Sequence, residues 1–239
     1  MHFLRSSLFA LGLSLSGLAG AQQAYRYTVD LNQTGDDRLQ VELAVPATGK
    51  STAVFQFPKI IPGTYSISDY GQFISAVKAF DKGGKALPVS RIDTNRWRIS
   101  NAAGLARITY TVEDIFDAQG KHNVYPMAAT NIEAGKNYVL HNPGVFGFLE
   151  GGNKLPFEIT IAKPAGFYAS TALKPVRSTD AQDVFRTASV DELYDAPIMY
   201  TVPDTTTVRV GNTDVLISVY APKGLIKSKE VAGWLQELL

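Results

Sequence analysis

Few side chains in this chain are equipped for chemistry, and they are scattered: three histidines, no cysteine, and carboxylates spread along its length. A zinc hydrolase gathers histidine and carboxylate ligands, often two histidines one helical turn apart with a glutamate beside the first. No H-E-x-x-H run is present; His2 lies at the N-terminus, and His122 and His141 stand in separate Gly- and Asn-flanked segments that read as turns. A serine hydrolase of the elbow type needs its nucleophile lifted off a strand, and no G-x-S-x-G occurs. The lack of cysteine removes thiolate nucleophiles and thiolate metal ligands together. Gly83-Gly84 and Gly151-Gly152 run into strand-like sequence instead of a helix, so they read as turns and not as phosphate cradles.

What remains is a loop. Pro58-Lys59-Ile60-Ile61-Pro62-Gly63-Thr64-Tyr65-Ser66-Ile67-Ser68-Asp69-Tyr70 ends a strand and combines Pro-Gly geometry with two aromatics and a carboxylate. Proline fixes φ near −65° and glycine relieves the steric limits, so Pro62-Gly63 can redirect the backbone and present Tyr65, Asp69 or Tyr70 to a neighbouring domain or ligand. The plainer alternative is a turn whose tyrosines pack at a sheet edge. A second dense stretch, Val124-Tyr125-Pro126-Met127 followed by Asn142-Pro143-Gly144-Val145-Phe146-Gly147-Phe148, can line a surface, or Phe146 and Phe148 can plug the end of a sandwich.

The elements that must hold these loops are strands. From Tyr25 to about Tyr220 apolar residues recur every second position in short runs rich in Val, Ile, Thr, Tyr and Phe. This rhythm predicts strands at Tyr25–Leu31, Arg38–Val45, Ala53–Phe57, Ile74–Phe80, Arg96–Ser100 and Arg107–Val112. It continues at Tyr138–His141, Phe157–Ala162, Val184–Thr187, Thr207–Val210 and Val215–Tyr220. Asp81-Lys82-Gly83-Gly84-Lys85 has hairpin-turn chemistry, and the whole predicts an antiparallel β-sandwich. Only at the end does the period change: Val231, Trp234, Leu235 and Leu238 stripe a helix with Ser228 as its N-cap and Glu230 in its first turn. The stripe needs a partner surface, which points to a larger protein.

Arg5, the apolar stretch Leu8–Leu18 and Ala19-Gly20-Ala21 form a secretory signal pattern, so the mature chain is expected to begin at Gln22 and to be exported, periplasmic or secreted. Removing Arg5 brings the 23 basic residues level with the 22 acidic ones, with no long run of either sign. Neither nucleic acid nor, after signal removal, a membrane is an expected partner. A hydrophobic content of 45% can supply a sizeable core, which must hold without disulfides.

In order along the chain, the strand ending at Pro58, Pro62-Gly63-Thr64-Tyr65, Asp69-Tyr70, Asp81-Lys82-Gly83-Gly84, Asn95-Arg96-Trp97, Val190-Asp191-Glu192-Leu193-Tyr194-Asp195-Ala196-Pro197-Ile198 and Val210-Gly211-Asn212-Thr213-Asp214 resemble the N-terminal domain of the PDZ-containing glycyl aminopeptidase family of zinc metallopeptidases. Ile60, Ser68 and Gln72 stand where family members carry a Trp before the turn and basic residues beyond it. The resemblance implies a signal peptide at 1–21, an N-terminal β-sandwich domain at 22–199 and, at 200–239, the truncated start of a thermolysin-like catalytic domain. Residues Asp191 to Ile198 would mark the passage between them. It implies that the parent is a zinc-dependent aminopeptidase in which zinc-activated water attacks the scissile carbonyl. This chain would bind no metal and hold no catalytic residue. Its partners would be the downstream catalytic domain of the same polypeptide and, in the full-length protein, a peptide substrate. Pro62, Gly63, Tyr65, Asp69 and Tyr70 are the substrate-facing or interdomain candidates, with Asp69 able to pair with a substrate's α-ammonium. The alternative reading is a free-standing exported β-sandwich binding module.

Overall fold

A computed structural model describes residues 23–118, 120 and 122–236. The expected signal segment and the Leu238 end of the helical stripe lie outside the described residues. The fold is mainly β, and its first layer is one large sheet. That sheet contains β1 (Tyr25–Asp30), β2 (Arg38–Ala44), β4 (Ile74–Asp81), β5 (Ala86–Leu87), β8 (Leu105–Glu113), β12 (Phe157–Ala162), β14 (Pro175–Ser178) and β15 (Gln182–Thr187), in the order β14-β15-β12-β1-β2-β8-β4-β5. The alternation expected from sequence is realised: Tyr25, Tyr27 and Val29 of β1, Leu39, Val41 and Leu43 of β2, and Phe157, Ile159 and Ile161 of β12 all point into one core. Every pairing is antiparallel except one, β1 against β12, where Tyr25 faces Phe157 in parallel register.

The second layer is split. One four-stranded sheet runs β11-β3-β7-β6, from β3 (Thr52–Gln56), β6 (Val89–Arg91), β7 (Arg96–Ser100) and β11 (Phe148–Leu149). The other runs β13-β16-β10-β9, from β9 (Asn131–Glu133), β10 (Asn137–Leu140), β13 (Tyr168–Ser170) and β16 (Ile198–Thr201). Phe55, Trp97, Tyr138, Leu140, Ile198 and Tyr200 from these sheets join the same buried cluster as the large sheet, which makes the sandwich. The hairpin read from Asp81 to Lys85 is present: Asp81 Oδ1 accepts from the amides of Gly83 and Lys85, both at 2.9 Å, and Gly84 takes φ +81°.

Asp191 to Ile198, expected to mark a passage between domains, run from within α2 (Val190–Tyr194) into the start of β16, which pairs with β10 and β13. A capping box starts α2: Ser189 Oγ accepts from the Glu192 amide at 3.4 Å, and Glu192 Oε2 accepts from the Ala188 amide at 2.7 Å. Beyond Thr201, β17 (Asp204–Val210) and β18 (Thr213–Val219) form a hairpin, and α3 (Ser228–Gln236) packs on it around Val208, Ile217 and Ala232, a cluster separate from the main core. On α3, Val231 and Leu235 pack on the hairpin along the face that carries Ser228 and Ala232, while Trp234 is 60% exposed. One reading of α3 needs correction: Ser228, expected as the N-cap, is the first residue of the helix, and its amide and hydroxyl both donate to the Asp204 carboxylate, at 2.9 and 3.1 Å. Among the described residues no helix is long and apolar enough to cross a membrane.

Candidate functional site

The Pro58–Tyr70 loop leaves β3 where proline ends the strand. Its neck is closed by backbone bonds: the Lys59 carbonyl accepts from the amides of Ser68 and Asp69, both at 2.9 Å, and the Pro58 carbonyl accepts from the Tyr70 amide at 3.3 Å. At the tip, Pro62-Gly63 occupies the centre of a turn from Ile61 to Thr64, with Gly63 at φ +87° and Thr64 Oγ1 donating to the Ile61 carbonyl at 3.0 Å. Tyr65 follows at φ +54° and is 96% exposed, an unusual backbone for an aromatic residue.

Tyr70 lies at the other extreme. It is fully buried, its hydroxyl donating to the Ala128 carbonyl at 3.3 Å and lying 3.0 Å from His141 Nε2. It therefore anchors the loop from within this chain and does not itself face outward.

Asp69 sits between these two extremes, half-buried and left-handed at φ +47°, a conformation aspartate tolerates well. Its Oδ1 accepts from Asn95 Nδ2 at 2.7 Å, and Asn95 Oδ1 accepts from the Gly71 amide at 2.9 Å. Arg91 donates to the carbonyls of Gly71 at 2.9 Å and Thr94 at 2.7 Å, completing a clamp between the loop and the turn joining β6 to β7. Gly71 is required there, since a Cβ would lie 2.4 Å from the Thr94 carbonyl oxygen. Its carboxylate is fixed in place by Asn95, and none of the ion pairs among the described residues involves it.

A second loop lies alongside. Ser66 Oγ donates to the Asn123 carbonyl at 3.3 Å, and the His122 ring meets the Phe73 ring edge-on at 5.5 Å. This loop carries Tyr125, 54% exposed, and Met127, 92% exposed. The Asn142–Phe148 stretch turns inward instead, opening as α1 (Asn142–Val145). Tyr110 Oη donates to the Val145 carbonyl at 2.6 Å, Tyr194 Oη to that of Phe146 at 2.8 Å, and Tyr27 Oη to that of Gly147. Burial pushes all three phenols well above their usual range, so they stay protonated as donors. Phe146 is fully buried, as the plug reading expected.

The donor set does not suit zinc. His141 Nε2 is engaged by Tyr70, His122 Nδ1 accepts from the Val124 amide at 3.3 Å, and among the described residues no three His, Asp or Glu side chains gather.

A family model described as the peptidase M61 N-terminal domain matches residues 26–202. No curated protein matches the chain. The crystal structure of an aminopeptidase N family protein from Idiomarina loihiensis superposes with a TM-score of 0.71 at 18% identity, covering 83% of this chain and 32% of that one, a likeness of fold. An M1 zinc metallopeptidase from Deinococcus radiodurans aligns at 12% identity over 89% of this chain and 51% of its own, with a TM-score of 0.43. The chain thus spans about a third to a half of the length of these structures.

Proposed function

The chain belongs to the peptidase M61 N-terminal domain family, and on that premise we propose that it is the non-catalytic N-terminal part of an exported, glycyl-aminopeptidase-like zinc metallopeptidase. In this reading the zinc belongs to a catalytic domain that follows in the same polypeptide, and residues from about 200 onward open that domain. The Pro58–Tyr70 loop shapes the approach to its active site. The observation that carries the reading is the Asp69 carboxylate, held at the mouth of the loop by Asn95 and in no ion pair among the described residues. Such a group is suited to the α-ammonium of a peptide N-terminus. Pro62-Gly63 sets the turn, Tyr65 borders the approach, and Tyr70 supports it from below.

The test is Asp69→Asn in the complete enzyme. A charge-assisted contact to substrate is worth about 1.5–3 kcal/mol, so KM for a glycyl anilide should rise roughly tenfold or more while kcat changes little. Unchanged KM and kcat would take Asp69 out of this role. The competing reading, a free-standing exported binding module, draws on the exposed Tyr65 and Tyr125. An H-E-x-x-H within about a hundred residues downstream of Leu239 in the gene excludes it, and a stop codon in place of such a motif favours it.

A further inference from the structure

The Pro58–Tyr70 loop carries one cation and one anion, Lys59 and Asp69, and no other Lys, Arg, Asp or Glu. The fold sets the two against each other at the neck of the loop, where the Lys59 carbonyl accepts from the Asp69 amide at 2.9 Å. Opposite charges on facing backbone positions attract, yet neither residue joins an ion pair among the described residues, with the other or with a third group. Asp69 is turned to Asn95, which holds its Oδ1 at 2.7 Å, while Lys59 is exposed. Ile60, 53% exposed, and Ile67, 47% exposed, offer apolar surface beside them.

We propose that Lys59 takes the C-terminal carboxylate of the peptide whose α-ammonium Asp69 takes, so that the site selects short zwitterionic peptides of two or three residues; this rests on the reading above. An extended chain spans at most about 3.3–3.6 Å per residue, so a dipeptide or tripeptide keeps its two ends within roughly 7–11 Å. The flexible four-carbon stem of lysine suits it to bridge that gap from the backbone position beside Asp69. A longer peptide carries its carboxylate past this reach and gains nothing from Lys59. One cation beside one anion matches a ligand with one charge of each sign, whereas a phosphate backbone or an anionic lipid surface calls for clustered basic residues. The same carboxylate chemistry also comes from an aspartate side chain at the second position of a peptide, and the two sources are separable by amidating the C-terminus.

The experiment measures release of glycine by the full-length polypeptide from glycyl-alanine, glycyl-alanine amide and glycyl-aspartyl amide. KM for glycyl-alanine should lie about two- to fivefold below that for its amide at low salt, the range an exposed ion pair allows, and the difference should shrink in about 1 M salt. Lys59→Met should bring the ratio close to one, and Lys59→Arg should keep it. Equal KM values for the acid and the amide in the parent protein, or a difference that survives Lys59→Met, would overturn the role of Lys59. A lower KM for glycyl-aspartyl amide than for glycyl-alanine would move the cation to a side-chain carboxylate and overturn the selection of short peptides. The two levels of failure are distinct: glycine released without discrimination sinks this proposal and leaves the aminopeptidase reading standing, whereas no glycine from any of the three removes both.

Discussion

Burial strips the water that would solvate a charged His141, and its pKa falls to about 4. An unfolded chain binds that proton near pH 6.5, so between about pH 6.5 and 4 the unfolded state holds more protons and folding stability drops as the pH falls. The loss from this one group reaches roughly 3 kcal/mol at pH 4. Urea midpoints at pH 7 and pH 4.5 should therefore differ less for His141→Gln than for the parent chain, and equal differences would refute the assignment. Because His141 holds the Tyr70 hydroxyl, the same acid range should loosen the base of the Asp69 loop. Sequence alone singled out Tyr65, Asp69 and Tyr70 by type, but nothing in it distinguished the inward tyrosine from the outward one. The loop has no alternation to read, and what decides the matter is Asn95 and His141, both distant in the chain.

Among the elements, the long strands were legible because five or more alternating residues leave a period, as in Arg38–Ala44 and Phe157–Ala162. Strands β6, β9, β11, β13, β14 and β16 were not, since runs of two to four residues seldom carry a readable rhythm, the four-residue β10, read at Tyr138–His141, being the exception. Helix α3 was found from its stripe, yet its true start depends on Asp204, contributed by β17. The Ser228 amide holds the Asp204 carboxyl below its usual range, as an acceptor at a helix N-terminus should be. Asp204→Ala should leave the sandwich intact and speed amide exchange several-fold in the first turn of α3 alone, as measured by hydrogen–deuterium exchange. Uniform acceleration across β17 and β18 as well would mean that the carboxylate supports the whole unit.

For the molecule as a whole, a buried ion pair at the edge of the large sheet is joined from the second layer by a tyrosine hydroxyl. Lys163 Nζ, just after β12, donates to both oxygens of Asp183 on β15, at 3.0 and 2.9 Å, and Tyr200 on β16 donates to the same carboxylate at 2.9 Å. Ser178 Oγ on β14 completes the set at 2.5 Å. Lys163→Met leaves a buried anion and should cost about 3–5 kcal/mol, lowering Tm by roughly 10 °C, whereas adding Asp183→Leu should recover part of that loss. A single variant as stable as the parent chain would show the pair to be dispensable. The sandwich class followed from alternation; its split second layer did not, because the division depends on which short strands meet.

Because β1 lies between β2 and β12, a ribosome delivering the chain from its N-terminus cannot pair β1 on both edges until Ala162 has emerged, nor complete the large sheet until Thr187 has. Until β12 is made, the nascent β1–β2 hairpin carries a bare row of amides and carbonyls flanked by Tyr25, Tyr27 and Val29, a template for mispairing with other chains. Slow, long-range closure of this kind favours a chain that is held unfolded by a chaperone until β12 and β15 are available.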